Sequence, residues 1–164
     1  MNKEIIFIIK LMLGGGAERV VTLLSNAAVE KGYKVSLMLT HQNKKNAVLQ
    51  GIDNKINVIS LPDEISNQKF SSLKPRLTML IARLVGKLGF KDKSSVLKYY
   101  SRNYSSIIWI KKYFKNHKNS SAVAFLYDSI FITLLAKNKS NKIIISERGD
   151  PAQSSDSKTV AAFM

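Results

Sequence analysis

The 164-residue chain carries 26 Lys and Arg against 11 Asp and Glu, which gives a formal net charge of +15 at pH 7. Its 45% hydrophobic and 23% charged content is typical of a globular chain and excludes a disordered tail. The sequence contains no Cys, which excludes disulfides, thiolate metal sites and cysteine nucleophiles. The positive charge indicates an anionic partner such as a nucleic acid, a phospholipid surface or a phosphorylated substrate.

Hydrophobic periodicity predicts alternating strands and helices. The first apolar run, residues 5–9, is typical of a strand buried on both faces of a parallel sheet. In chain order the predicted elements are strand 5–9, helix 20–28, strand 34–40, strand 56–61, helix 75–88, helix 94–118, strand 122–127, helix 130–136 and strand 142–146. This order is typical of a single Rossmann-like, doubly wound, mainly parallel sheet flanked by helices.

The ends of the chain give further expectations. The first residues lack a signal-peptide pattern, and no apolar run approaches the roughly 18 residues that span a bilayer. We therefore expect a cytoplasmic protein, either free or peripheral on the inner face of the membrane. Residues 157–164 have the pattern of a helix that is beginning, so we expect residues 1–164 to be one domain of a truncated chain.

Three glycines at residues 14–16 separate the first strand from the first helix. Such a turn lets an anionic ligand approach backbone N–H groups, although it also serves as a tight turn without any ligand. A dinucleotide-binding fingerprint is excluded because Arg19 stands at the third glycine position and the second strand ends without a carboxylate. A P-loop is excluded because no Gly-Lys-Ser/Thr sequence follows.

Three strings in the sequence resemble family 4 retaining glycosyltransferases. GGGAERV at residues 14–20 resembles the GGAER signature that follows the first strand in that family. IISERGDP at residues 144–151 resembles the ISERNDP string that follows strand five, and AFLYD at residues 124–128 resembles the end of strand four. The three strings stand in the family's order and spacing and cover both ends of the chain, while the middle is variable in the family.

The resemblance implies the GT-B architecture of two facing Rossmann-like domains, with this chain as the amino-terminal, acceptor-binding half. The carboxy-terminal half would hold the nucleotide-sugar with paired glutamates that this sequence lacks, so we expect the fragment alone to be inactive. The reaction would move a sugar from a nucleotide-sugar to a glycan or lipid-linked acceptor in surface polysaccharide synthesis. Such enzymes generally need no metal or other cofactor, and we interpret His41 and His117 as ordinary, isolated surface residues.

The resemblance also implies roles for individual residues. The catalytic candidates are Asp128 and Glu18; Asp128 would orient an acceptor hydroxyl or cap a helix, and Glu18 equally suits the positive end of the first helix. Gly15 and Gly16 would offer backbone donors to the leaving diphosphate. The full set of candidate residues for binding the donor phosphate or the acceptor is Gly14, Gly15, Gly16, Arg19, Glu147 and Arg148.

The middle of the chain is strongly basic. Residues 65–119 hold 13 Lys and Arg and a single acid, Asp92. In the predicted helix 75–88 an apolar stripe repeats at helical spacing with cations on its flank. This pattern suits an anionic membrane surface or a lipid-linked pyrophosphate, unless the stripe packs on the sheet and the cations face water. The candidate residues for this role are Lys74, Arg76, Arg83 and Lys87.

Two other functions stay open at this stage. A nucleic-acid-binding module is favoured by the pI of about 10.0 and by aromatic residues among the cations, but no nucleic-acid motif supports it and it leaves GGGAERV unexplained. The alternative is a non-catalytic partner domain that works with a separately encoded donor domain.

Overall fold

Strand β1 (Glu4–Ile9) is the central strand of the sheet. In the computed structural model, which describes residues 4–41, 47–62 and 73–147, it pairs in parallel with β2 (Lys34–Leu39) on one side and with β4 (Ser121–Phe125) on the other. The side chains of residues 6–9 are buried because helices cover both faces of the strand. This double coverage explains the unbroken apolar run in the sequence.

The remaining elements complete a three-layer α/β domain. They are α1 (Gly16–Glu30), β3 (Asn57–Ser60), α2 (Leu73–Lys87), α3 (Lys91–Arg102), α4 (Tyr104–Asn116), α5 (Tyr127–Ala136) and β5 (Lys142–Ser146). All five described strands are parallel, in the order β3-β2-β1-β4-β5. The prediction of a single Rossmann-like domain is confirmed.

Two apolar clusters lie on opposite faces of the sheet. On one face Ile6 and Ile8 of β1 meet side chains of α4 and α5, including the fully buried Phe114. On the other face Phe7 and Ile9 meet α1, where Val21 is fully buried. Alternation of side chains along the strand separates the two sets.

The predicted strands agree with the structure to within two residues at either end, and β5 has the predicted bounds. The single helix predicted for residues 94–118 is wrong, because α3 and α4 are separate helices that meet at Asn103. The side-chain amide of Asn103 donates to the backbone oxygen of Tyr99 at 3.1 Å. This local hydrogen bond competes with a continuous helix. The helix predicted for residues 157–164 lies outside the described residues.

Helix α2 differs most from its sequence interpretation. It packs against α3, and its apolar stripe faces solvent instead of the sheet. Leu77 and Leu84, which lie in the middle of the stripe, are about 60% exposed. The alternative that the stripe packs on the sheet is therefore wrong. None of the helices in the described ranges has the length and apolarity to cross a bilayer.

A polar cluster ties together the amino edge of the sheet. The Glu4 carboxylate lies 2.7 Å from Nδ1 of His117 and accepts a hydrogen bond of 3.0 Å from the Ser36 hydroxyl. The Tyr113 hydroxyl donates to Ser36 Oγ at 3.0 Å, and its ring stacks on His117. The interpretation of His117 as an isolated surface residue is therefore wrong, whereas His41 is exposed as expected.

This cluster predicts an alkaline effect on stability. Burial of the ring raises the pKa of Tyr113 above 10.0; the hydrogen bond to Ser36 offsets part of this rise, and Glu4 adds to it. The folded state thus favours the neutral phenol, so this contribution is complete below the unfolded pKa and is lost as the pH rises through the folded value. We expect the free energy of unfolding of wild type relative to Tyr113→Phe to be constant below about pH 9 and to fall as the pH rises above 10. Denaturant titrations of both proteins across this range measure the effect, and a difference that stays constant above pH 10 would contradict it.

Candidate functional site

The carboxyl ends of β1 and β4 form the topological switch point of the sheet. From β1 the chain continues to β2 and β3 on one side, while β4 and β5 lie on the other side. The connections therefore diverge at this point and leave a crevice outside the two strand ends, where doubly wound sheets bind their ligands. The glycine turn follows β1, and Asp128 follows β4, so both predicted features lie at this crevice.

The glycine turn is open to solvent. Gly14, Gly15 and Gly16 are all exposed, and a Cβ atom added to Gly16 would meet no heavy atom within 4 Å. Gly15 is the N-cap of α1 and has no side chain that could bond the first N–H groups of the helix. The first N–H groups of α1 therefore receive no cap from the N-cap residue, at the positive end of the α1 dipole.

Asp128 is held by two partners from distant parts of the chain. Its carboxylate forms an ion pair with the ammonium of Lys10, the residue that directly follows β1. The Tyr99 hydroxyl, from α3, lies 3.1 Å from the Asp128 backbone oxygen and 3.3 Å from its carboxylate. Both charged side chains keep about a third of their surface exposed, so a ligand can reach them. Neither Lys10 nor Tyr99 belongs to a motif, so neither could be identified as a site residue from the sequence.

A strained residue precedes Asp128. Leu126, at the end of β4, has φ of 65° and ψ of 154°, a conformation that is almost restricted to glycine. Its backbone oxygen accepts the first hydrogen bond of α5, from Ile130 at 3.0 Å. The unusual torsion turns the chain sharply from the strand into the helix and brings Asp128 to the Lys10 side chain.

The other predicted residues are placed as follows. Glu18 lies in the first turn of α1, and its carboxylate oxygen is 2.6 Å from the position that a Cβ of Gly15 would take. The side chain thus folds back over the start of the helix, which suits the structural role considered for it. Arg19 is exposed on α1, and Glu147 follows β5 at the same edge of the sheet. Arg148 lies outside the described residues.

The four basic candidates form a separate surface on α2. Lys74, Arg76, Arg83 and Lys87 are all exposed. An open depression of about 1030 Å³ lies beside this surface, at the turn between α2 and α3 and the start of α3. The four cations and the glycine turn therefore do not line a common cavity in the part of the chain that the structure describes.

The described residues contain no group of three or more His, Asp or Glu side chains arranged to hold a metal ion. The chemistry that this part of the chain offers at the sheet edge is a lysine cation, the helix-terminal N–H groups of α1 with the Glu18 carboxylate over them, and the Asp128 carboxylate fixed by its partners. Groups of this kind suit an anion next to a group that accepts hydrogen bonds from hydroxyls.

Comparison of the chain with protein-family models, with curated proteins and with solved structures finds no match.

Backbone geometry separates the roles of two glycines in the turn. Gly14 has φ of 91°, so Gly14→Ala should destabilise the domain by about 1 kcal/mol or more. Gly16 starts the helix with open space around it, so Gly16→Ala should stabilise the domain by about 0.4–1 kcal/mol. Urea denaturation of the two variants measures both values. Equal losses of stability would contradict this account of the turn.

The strain at Leu126 predicts that glycine gives a more stable protein than alanine at this position, the reverse of the usual order of stability. Both substitutions remove the same side-chain contacts, but only glycine relaxes the torsion, so Leu126→Gly should be more stable than Leu126→Ala by about 1 kcal/mol. Leu134, half-buried within α5, is the matched control. At this helical position Leu134→Ala should be more stable than Leu134→Gly by about 1 kcal/mol. Thermal and urea unfolding of the four variants measures both differences. If the alanine variant were the more stable at both positions, Leu126 would not be strained.

Proposed function

We propose that this domain is the amino-terminal, acceptor-binding half of a retaining glycosyltransferase that acts in surface polysaccharide synthesis. The observation that carries the proposal is the position of the GGGAERV string. Its glycine turn lies open at the switch point of the sheet, beside the Lys10–Asp128 ion pair. The strings at residues 124–128 and 144–151 support the same family by resemblance.

The turn and Lys10 serve the leaving group in this proposal. Transfer of a sugar from a nucleotide-sugar releases a nucleoside diphosphate, on which negative charge increases as the glycosidic bond breaks. The N–H groups at the start of α1 and the Lys10 ammonium would provide positive potential beside that charge once the Glu18 side chain moves aside from the start of the helix. Because these groups are already in position, they need little reorganisation during the reaction.

Asp128 serves the acceptor. Its carboxylate forms an ion pair with the Lys10 ammonium and lies 3.3 Å from the Tyr99 hydroxyl, which orients it. A carboxylate accepts hydrogen bonds, so it can orient an acceptor hydroxyl toward the sugar. The partly exposed side chain is reachable from the crevice. The co-substrate is the nucleotide-sugar, and the reaction as proposed uses no metal or other cofactor.

A second domain completes the enzyme in this proposal. It faces the carboxyl edge of the sheet, holds the nucleotide and closes the crevice over the glycine turn. The enzyme works in the cytoplasm, and its acceptor is a glycan or a lipid-linked sugar. Transfer by residues 1–164 alone would contradict this division of labour.

The test is an assay of the complete natural polypeptide that contains these residues. We expect transfer from one member of a panel of radiolabelled nucleotide-sugars, with retention of configuration at the anomeric carbon by NMR. Lys10→Gln and Asp128→Asn should each lower kcat/KM by about 100-fold, as loss of one group that stabilises charge does in other enzymes. Lys137→Gln is the matched control, because Lys137 is exposed at the end of α5 remote from the crevice and should not change the rate.

The nucleic-acid alternative gives different results in the same experiment. It predicts no transfer with any nucleotide-sugar and a tight, steeply salt-dependent association with RNA or DNA. That pair of results would overturn the proposed function.

A further inference from the structure

The α2–α3 hairpin carries a row of exposed apolar side chains. On one face of α2 and at the turn that follows, six Leu and Ile side chains are between 43% and 81% exposed. They are Leu73, Leu77, Leu80, Ile81, Leu84 and Leu88. At 100° per residue they cover a sector about 100° wide, the width of a helix face that normally packs against a core. A contiguous apolar surface of this kind marks a site of interaction.

The opposite face of α2 is fixed on α3. The Ser94 hydroxyl donates to the backbone oxygen of Ala82, and the Ser101 hydroxyl donates to that of Pro75, both at 2.7 Å. A Cβ atom added to Gly86 would lie 2.9 Å from the Ser94 hydroxyl, so the two helices approach closely. The helix cannot rotate its apolar face toward the sheet without breaking these contacts, and that face is therefore available to a partner.

Cations border the apolar row. By helical geometry Arg76, Arg83 and Lys87 lie together on one flank of the row, and Lys74 lies on the other. Beyond the turn Lys91 and Lys93 are exposed beside the 54% exposed ring of Phe90. The Lys93 ammonium lies 5.1 Å from the centre of that ring. Residues 73–102 hold eight Lys and Arg and a single acid, Asp92.

We propose that the α2–α3 hairpin docks the domain on an anionic phospholipid surface. In this arrangement α2 lies in the plane of the interface, with the Leu and Ile row among the acyl chains and the cations at the headgroup phosphates. The proposal rests on exposure and charge alone and does not depend on sugar transfer.

Charge selects a membrane over the other occupants of the surface. Two copies joined face to face along the row would bring together the four cations that flank it on each α2, which makes eight around one apolar seam and disfavours a dimer. A nucleic acid would satisfy the cations, but its phosphate backbone offers nothing to a row of Leu side chains. An anionic bilayer matches both the apolar row and its charged borders.

Vesicle flotation with the 164-residue chain tests the proposal. We expect strong binding to vesicles of phosphatidylcholine mixed with phosphatidylglycerol and weak binding to phosphatidylcholine alone. The triple variant Arg76→Gln, Arg83→Gln, Lys87→Gln should lower the partition coefficient on the mixed vesicles by roughly 100-fold, since each cation near an anionic surface contributes about fivefold. The double variant Leu77→Gln, Leu84→Gln should lower it by about tenfold or more.

Matched controls separate the hairpin from the overall charge. Lys111, Lys112 and Lys115 are exposed on α4, and their triple change to Gln removes the same charge. Leu23→Gln, at a 69% exposed position of α1, removes an apolar side chain elsewhere. We expect both controls to retain most of the binding, and circular dichroism to confirm that all variants fold. A control triple variant as weak as the hairpin triple variant would overturn the proposal.

A fluorescent reporter measures insertion directly. Trp109 is the only tryptophan, so Leu84→Trp in a Trp109→Phe background gives a single signal from the apolar row. Its emission should shift to the blue on mixed vesicles, whereas Leu23→Trp in the same background should not shift. A protein that sediments as a dimer through the Leu row, with no blue shift on vesicles, would assign the surface to a second copy and refute membrane docking.

Discussion

Burial of β1 on both faces and both edges is the constraint on which the rest of the structure depends. Because β2 and β4 occupy its edges and helices cover its faces, polar chemistry can only lie at its two ends. At the amino end Glu4 is enclosed by His117, Tyr113 and Ser36, and the cluster joins β1, β2 and α4. At the carboxyl end the partly exposed Lys10 forms an ion pair with the partly exposed Asp128. The enclosed end suits a structural role and the open end suits binding.

Local patterns of the sequence were sufficient for the sheet but not for its surroundings. The apolar runs predicted every described strand. For β1, β2 and β4 the reason is burial inside the sheet, whereas the edge strand β5 has the same apolar pattern although its Ile144 and Ile145 are more than half exposed. Lys10 gave no signal, because a lone lysine after a strand acquires meaning only when Asp128, 118 positions away, lies beside it. His117 depended in the same way on Glu4. Asn103 could have been recognised as a residue that interrupts helices, although its effect depends on its local hydrogen bond.

Helix α2 shows why periodicity predicts a helix more reliably than its partner. An apolar stripe of this width normally indicates a face buried on a core. Here the small and polar residues of α2 and α3 form the buried interface, and the Leu row points outward. The same pattern of letters thus describes a helix that packs on a core and a helix whose apolar face is exposed, and only the position of α3 distinguishes the two.

Helix α3 connects the two surfaces for which we propose functions. Its Ser94 and Ser101 hold α2, and its Tyr99 bonds to Asp128 at the switch point. A hairpin docked on a bilayer would therefore keep the crevice at a fixed offset from the lipid surface, joined by one rigid helix. That geometry suits an acceptor anchored in the same bilayer, because the enzyme and the acceptor would then both diffuse in the plane of the membrane and meet more often. The strained turn at Leu126 fits this arrangement, since backbone strain persists only where the surrounding packing over-determines it. In this domain that packing comes from β5 and α5 on one side and from the α3 contact on the other.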